Sequence, residues 1–350
     1  MAYAETALHL AENKNAMTRK PVLWLVAIAA FFTASASEAA DKVRFGTNWV
    51  AEAEHGGFYQ ALADGTYAKY GLEVEIVPGG PQVNNRILLS AGKLDFYISA
   101  NFLQAFAAVE QNVPTVVVAA IMQRDPIAIL AHPDTGIEKF EDLKRANILL
   151  GADAMVTSFR WLKSEHGFRD EQARPYTFNP QPFFADKKLA LQGYVTSEPF
   201  VIEKAGGFTP KIFLLADYGF DGYATTLETR TKLLHDNPDL VARFVEASIE
   251  GWYNYLYGNN KAANDLIKKQ NPEMTDELLA FSLAKMKQYG IVDSGDALVL
   301  GIGAMQEARI KGFYDKMVKA GVVKAGLDWR KSFNALFVNR KHGLDLYQLK

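Results

Sequence analysis

From Lys42 onward, short apolar runs alternate with amphipathic stretches at near-regular intervals. Residues 43–45 read as a buried strand, 57–70 as a helix, 72–77 as a strand of period two and 83–91 as a second helix. The series continues with a strand at 95–99, a helix at 102–110 and an apolar, β-branched strand at 115–122. Strand and helix in regular succession predict a mostly parallel sheet flanked by helices, an α/β architecture.

A second set follows, with strands at 127–131, 148–150 and 211–215 and helices at 140–144 and 158–166, which predicts a smaller α/β unit. The Gly-, Tyr- and Thr-rich segment 218–226 reads as the return of the chain to the first unit, with helix from Leu227 on. The best-marked helix is 238–256. Asn237 is its N-cap, Pro238 its first residue, Asp239 complements the dipole and Gly258 is the C-cap. Val241, Phe244, Val245, Ser248, Ile249 and Trp252 form one stripe, so this helix packs on a core. Its Trp252, Tyr253, Tyr255 and Tyr257 are read as core and surface rather than as a ligand platform. The helices of 261–350 are read as scaffold.

Charge narrows the function. The 38 basic residues are balanced by 40 acidic ones, for a net charge of −2, and no basic block stands out, so nothing favours a nucleic acid. The partner is expected to be a small molecule or a protein. With no cysteine, disulfides, thiol nucleophiles, thiolate metal sites and a lipid-anchoring cysteine are all excluded. The six histidines lack metal-ligand spacing, and no nucleophile elbow or phosphate-binding lysine loop is present. Gly301-x-Gly303 falls in a stretch read as helical and is assigned to packing. Neither a metal nor a cofactor is expected, and the chain reads as a binding protein rather than an enzyme.

Arg19 and Lys20 precede an apolar run over 21–32 and small residues up to Ala40. The run is shorter than the roughly 20 residues of a membrane span, and Ser37-x-Ala39 has cleavage-site spacing, so 1–39 is expected to be a signal peptide. Met17 offers an alternative start.

Candidate binding residues cluster where strands end, the usual ligand position in open α/β sheets. Asn48 and Trp49 follow the first strand. Trp49 is either a flat stacking face or a buried tryptophan, and His55 either bonds a ligand or caps a helix. Gly80, in the loop after the second strand, and Ser99 with Asn101, after the third, offer backbone N–H groups at helix starts that suit a carboxylate, a sulfonate or a ring acceptor.

Three stretches carry a resemblance: Asn48-Trp49 with His55-Gly-Gly-Phe-Tyr59, Tyr70-Gly-Leu-Glu-Val-Glu75, and Ala91-Gly-Lys-Leu-Asp95-Phe. Gly193-Tyr-Val-Thr-Ser-Glu198-Pro and Ala216-Asp-Tyr-Gly219 extend it. Over about 43–256 the chain resembles periplasmic solute-binding proteins of ABC importers. Within them it is similar to the NMT1-like subgroup for thiamine-pyrimidine precursors, whose relatives bind alkanesulfonates, taurine and nitrate. The resemblance implies a type II two-lobed fold, each lobe a mostly parallel sheet, with lobe I at 41–125 and 222–350, lobe II at 126–221, and two crossing hinge strands. It further implies a monomer in the periplasm that delivers a planar heteroaromatic solute to an inner-membrane permease, or alternatively a sulfonate, taurine or nitrate. An exported enzyme or sensor on the same fold is the remaining alternative. Trp49 would stack on the ligand, and His55 and Tyr59 would line lobe I. Tyr194 and Glu198 would face them from lobe II, unless Glu198 is simply a surface glutamate before Pro199. Arg124 and Asp217 would bind a charged ligand group or pair at the hinge. Asn48-Trp49 departs from the Asp-Trp, Pro-Asn pattern of pyrimidine-binding relatives and removes one negative charge.

Overall fold

The computed structural model describes residues 39–80 and 83–348. The expected signal peptide lies outside the described residues except for Ala39. Among the described residues ten strands form two sheets. The first sheet holds β1 (Asp41–Gly46), β2 (Leu72–Val77), β3 (Phe96–Asn101), β4 (Thr115–Met122) and β10 (Ala224–Arg230), in the order β2-β1-β3-β10-β4. The second holds β5 (Ile127–Ala131), β6 (Asn147–Leu150), β7 (Ala173–Pro175), β8 (Leu189–Tyr194) and β9 (Lys211–Leu214), in the order β7-β6-β8-β5-β9.

The two orders share one logic. In each sheet the first three strands run parallel, and an antiparallel strand separates them from the last. That antiparallel strand is the one delivered by a crossing from the other sheet: β5 directly after β4, and β10 after β9. Both sheets are therefore mixed, with a parallel majority. β4 is buried at every position, as a strand covered on both faces must be, whereas β2 alternates exposed and buried positions.

A continuous core runs from one sheet to the other, from Phe45 and Phe96 through Val118 to Ala128 and Ile148. The helix Pro238–Tyr257 covers the first sheet, and its Phe244 stacks on Phe96 with ring centroids 4.0 Å apart. The Asn237 side chain accepts from Leu240 N at 3.1 Å, which gives the predicted cap. Among the described residues no helix is long and apolar enough to cross a membrane.

Several elements differ from the sequence reading. The single helix expected at 57–70 is two, Gly56–Ala63 and Thr66–Lys69, divided at Gly65 (φ 77°), where Asp64 accepts from Thr66 N at 3.0 Å. Residues 227–230, expected as helix, complete β10. The misleading signal is Glu228, 1% exposed in the sheet, whose charge is met by Arg86 at 3.2 Å. β7 and β8 carried no clear strand signal, because Pro175 and Gly193 interrupt their patterns. Gly301 and Gly303 lie in a loop (φ 96° and 90°) rather than a helix, and Gly303 O accepts from Ala120 N at 3.0 Å.

Candidate functional site

Loops following β1, β7 and β8 converge between the carboxyl ends of the two sheets. From the first sheet come residues 47–52 and the short 3-10 turn Ala53–His55; from the second come Phe178 and residues 195–198. The β1 loop is held from behind. Gly79 N bonds Trp49 O at 3.0 Å, and the Asn85 amide donates to Thr47 O at 2.9 Å and Val77 O at 3.0 Å. Trp49 is partly exposed, and its ring meets Phe178 from the opposite sheet at 5.3 Å between centroids, tilted by 50°.

Carboxylates dominate the polar side of this crevice. Glu198 Oε2 accepts from Tyr194 N at 2.6 Å and from the Ser197 hydroxyl at 2.7 Å. Its chain passes so near Gly193 that a Cβ there would lie 2.5 Å from Glu198 Cγ, so the position admits only glycine. Glu54, 3% exposed, accepts from the Thr196 hydroxyl across the crevice, and Thr196 O in turn accepts from Ser282 Oγ at 2.8 Å. Burial, and then the charges of Glu54 and Glu198, hold the Glu52 carboxyl well above the usual range. Burial likewise raises Glu54, against the pull of Thr196, and Glu198, against the pull of Ser197. Asp125 on the first crossing is raised to about 7 by burial.

Among the described residues no lysine or arginine stands within ion-pair distance of Glu52, Glu54, Glu198 or Asp125. The nearest basic group is His55 Nε2, 3.6 Å from Glu52 Oε1. Burial pushes His55 down to about 3, so it is neutral at physiological pH. Its Nε2 also faces Asn48 Oδ1 at 3.2 Å, while the buried Nδ1 has no partner.

Of the residues singled out in the sequence, Asn48, Trp49, His55, Tyr194 and Glu198 are brought together here. Tyr59 is turned into the core, fully buried, with its hydroxyl on Gln270 Oε1 at 2.5 Å. Ser99 is enclosed within the first sheet, bonded to the Thr226 hydroxyl at 2.6 Å. At each of the two candidate helix starts a side chain already takes one backbone N–H. Asn101 Oδ1 accepts from Leu103 N at 3.2 Å. The helix after Gly80 begins only at Asn85, where Asn84 Oδ1 accepts from Ile87 N at 3.3 Å. Pro81 and Gln82 lie outside the described residues. Arg124 and Asp217 pair with each other, one from each crossing. Glu52, Glu54, Asp125, Thr196 and Phe178 were not singled out. Glu52 and Glu54 lie between Trp49 and His55, and Thr196 lies between Tyr194 and Glu198, so three of the five sit among residues that were singled out.

A family model described as NMT1/THI5 like matches residues 52–263. The riboflavin-binding protein RibY of Chloroflexus aurantiacus is 24% identical over 241 residues, 66% of this chain and 67% of that protein. The periplasmic aliphatic sulphonate binding protein SsuA of Escherichia coli superposes with a TM-score of 0.62 at 13% identity, over 83% of this chain and 91% of its own. The desulfurization enzyme DSZB does so with a TM-score of 0.55 at 13% identity, over 89% of this chain and 100% of its own. At these identities the solved structures speak for the fold, and that fold is the periplasmic-binding-protein fold expected from the sequence.

Proposed function

We propose that this chain, which belongs to the NMT1/THI5-like family, is the solute-binding component of an ABC importer that captures a planar heteroaromatic solute bearing N–H donors. The observation that carries the ligand class is the set of converging carboxylates, Glu52, Glu54 and Glu198, raised by burial and, in Glu52 and Glu54, by a neighbouring carboxylate as well, with no lysine or arginine within ion-pair distance among the described residues. A buried carboxylate without a partner is costly, and a ligand offering an amidine-like edge or ring N–H groups supplies the missing donors. Trp49 offers the flat face. The charge lost at Asn48 relative to pyrimidine-binding relatives is made good by these glutamates.

A sulfonate, taurine or nitrate fits this crevice poorly. An anion would meet carboxylates, and at the helix starts that could have held it Asn84 and Asn101 each already take one backbone N–H. The fold alone leaves enzyme or binder open, since DSZB shares it. The absence of cysteine and of a nucleophile elbow in the sequence supports the binder. The two sheets with their helices serve as the lobes, 41–125 with 222–350 and 126–221, and the protein works as a periplasmic monomer that passes its ligand to a membrane permease.

A thermal-shift panel of riboflavin, aminopyrimidines, purines, alkanesulfonates, taurine, nitrate and amino acids tests this, because a ligand of the native state raises Tm by mass action. Shifts are expected with ring compounds that carry N–H donors. For the strongest of these, Trp49→Ala and Glu198→Gln should each weaken binding by about 1–3 kcal/mol. Shifts confined to anions would overturn the ligand class, and wild-type affinity in both variants would overturn the site.

A further inference from the structure

Phe178 belongs to the second sheet's side of the molecule, three residues beyond the end of β7, yet its ring lies against Trp49 of the first. Three features fix it there. Tyr176 abuts it, with centroids 5.2 Å apart. Gly151 leaves the space for it, since a Cβ at that position would lie 3.3 Å from Phe178 Cζ and 3.2 Å from Gln192 Oε1. Its backbone has φ 62°, a left-handed conformation that a bulky side chain seldom adopts, and Phe178 is nonetheless 52% exposed. A ring held by these contacts and still half exposed is a wall rather than a core residue.

We propose that Phe178 is the second face of an aromatic slot, so that the ligand's ring inserts between Trp49 from one sheet and Phe178 from the other; this rests on the reading of the ligand as a planar heteroaromatic. Two stacked intervals require the rings to stand about 7 Å apart and nearly parallel. In the structure they stand 5.3 Å apart and tilted by 50°, so insertion of a ring must straighten and widen the pair. Glu198 lies close enough to Tyr176 to raise the tyrosine's hydroxyl, after burial, so the aromatic row ends beside the carboxylates that would take the ring's N–H edge. The slot then selects ligands by thickness as well as by edge: a flat ring enters, whereas an aliphatic chain ending in an anion gains nothing from either face.

The test is calorimetric titration of the purified protein with riboflavin and with a 4-aminopyrimidine, comparing wild type, Phe178→Ala, Phe178→Leu and Phe178→Tyr. Thermal unfolding of each free variant serves as the check on folding. The slot predicts a loss of about tenfold for Phe178→Ala with whichever ring compound the wild type binds, a partial loss for Phe178→Leu and near-wild-type affinity for Phe178→Tyr. Unchanged affinity in a folded Phe178→Ala protein would overturn the slot while leaving the heteroaromatic reading intact. Tighter binding would also overturn it, because Phe178 would then be a plug that competes for Trp49. Failure of the wild type to bind either ring compound would bring down both readings.

Discussion

Asp125 shows how a single side chain couples this crevice to pH. It is 2% exposed on the first crossing, accepts from Ile127 N at 3.0 Å and receives the Asn101 amide, yet burial still lifts it to about 7, with the charge of Asp153 adding to the effect. An acid whose folded pKa lies above its unfolded value near 3.9 holds a proton that the unfolded chain would release, so its contribution to stability falls as pH rises from about 4 to about 7. The ligand-free protein should therefore lose stability over that window. Asp125→Asn keeps the acceptor for Ile127 and removes the titration, so chemical unfolding at pH 5 and pH 8 should show a smaller drop in the variant, by about 1–3 kcal/mol. An equal drop in both proteins would assign the pH dependence to the glutamates alone. What was legible at this scale was position: Trp49 and His55 could be placed after the first strand, and the resemblance supplied Glu198. What was not legible was burial. Glu54 reads as a loop residue in sequence, and only the arrival of Thr196 from the other sheet encloses it. Phe178, behind Pro175 and before Pro180, carries no periodicity at all.

Between elements, the C-terminal helices do more than fill space. The helix Glu307–Lys319 sends Arg309 to both crossings at once: its guanidinium donates to Gln123 O on the first and to Asp221 O at 3.0 Å on the second. It also meets Asp296 at 3.2 Å and lies over the Tyr223 ring at 4.1 Å. Lys316 from the same helix reaches Asp221 at 2.7 Å, and Arg124 on the first crossing donates to Tyr289 O at 2.8 Å. Replacing Arg309 with Met keeps much of the apolar stem but strands two carbonyls, which should cost about 1–3 kcal/mol in urea unfolding. Hydrogen exchange should rise at 123–126 and 219–224 before it rises elsewhere. A stability change under about 0.5 kcal/mol, with exchange unaltered, would return the helix to the role of scaffold. The alternation of strands and helices made the first sheet readable up to β4. Of the two strands inserted by the crossings, β5 was read at its observed bounds, 127–131, whereas the end of β10 was not: it places a charged Glu228 at a fully buried position, and no local rule anticipates that Arg86 will meet it.

For the molecule as a whole, the carboxylate crevice makes the sign of proton linkage a test of ligand class that does not require the ligand's name. In the free protein Glu52, Glu54, Glu198 and Asp125 all hold protons more tightly than ordinary carboxyls. A ligand that donates N–H groups to them favours their ionised forms and lowers their pKa values, so binding must release protons and affinity must rise with pH between about 5 and 8. An anionic ligand raises those pKa values further, takes protons up on binding and weakens as pH rises. Calorimetry in two buffers of different ionisation enthalpy reads the proton count directly, and titrations at pH 5.5 and 7.5 read the slope. We expect release, with an affinity gain of about tenfold per pH unit, and so about a hundredfold across that interval, for each proton released on average. Uptake would show that the ligand carries negative charge into the crevice, and the carboxylates would then have to act as hydrogen-bond donors in their protonated form.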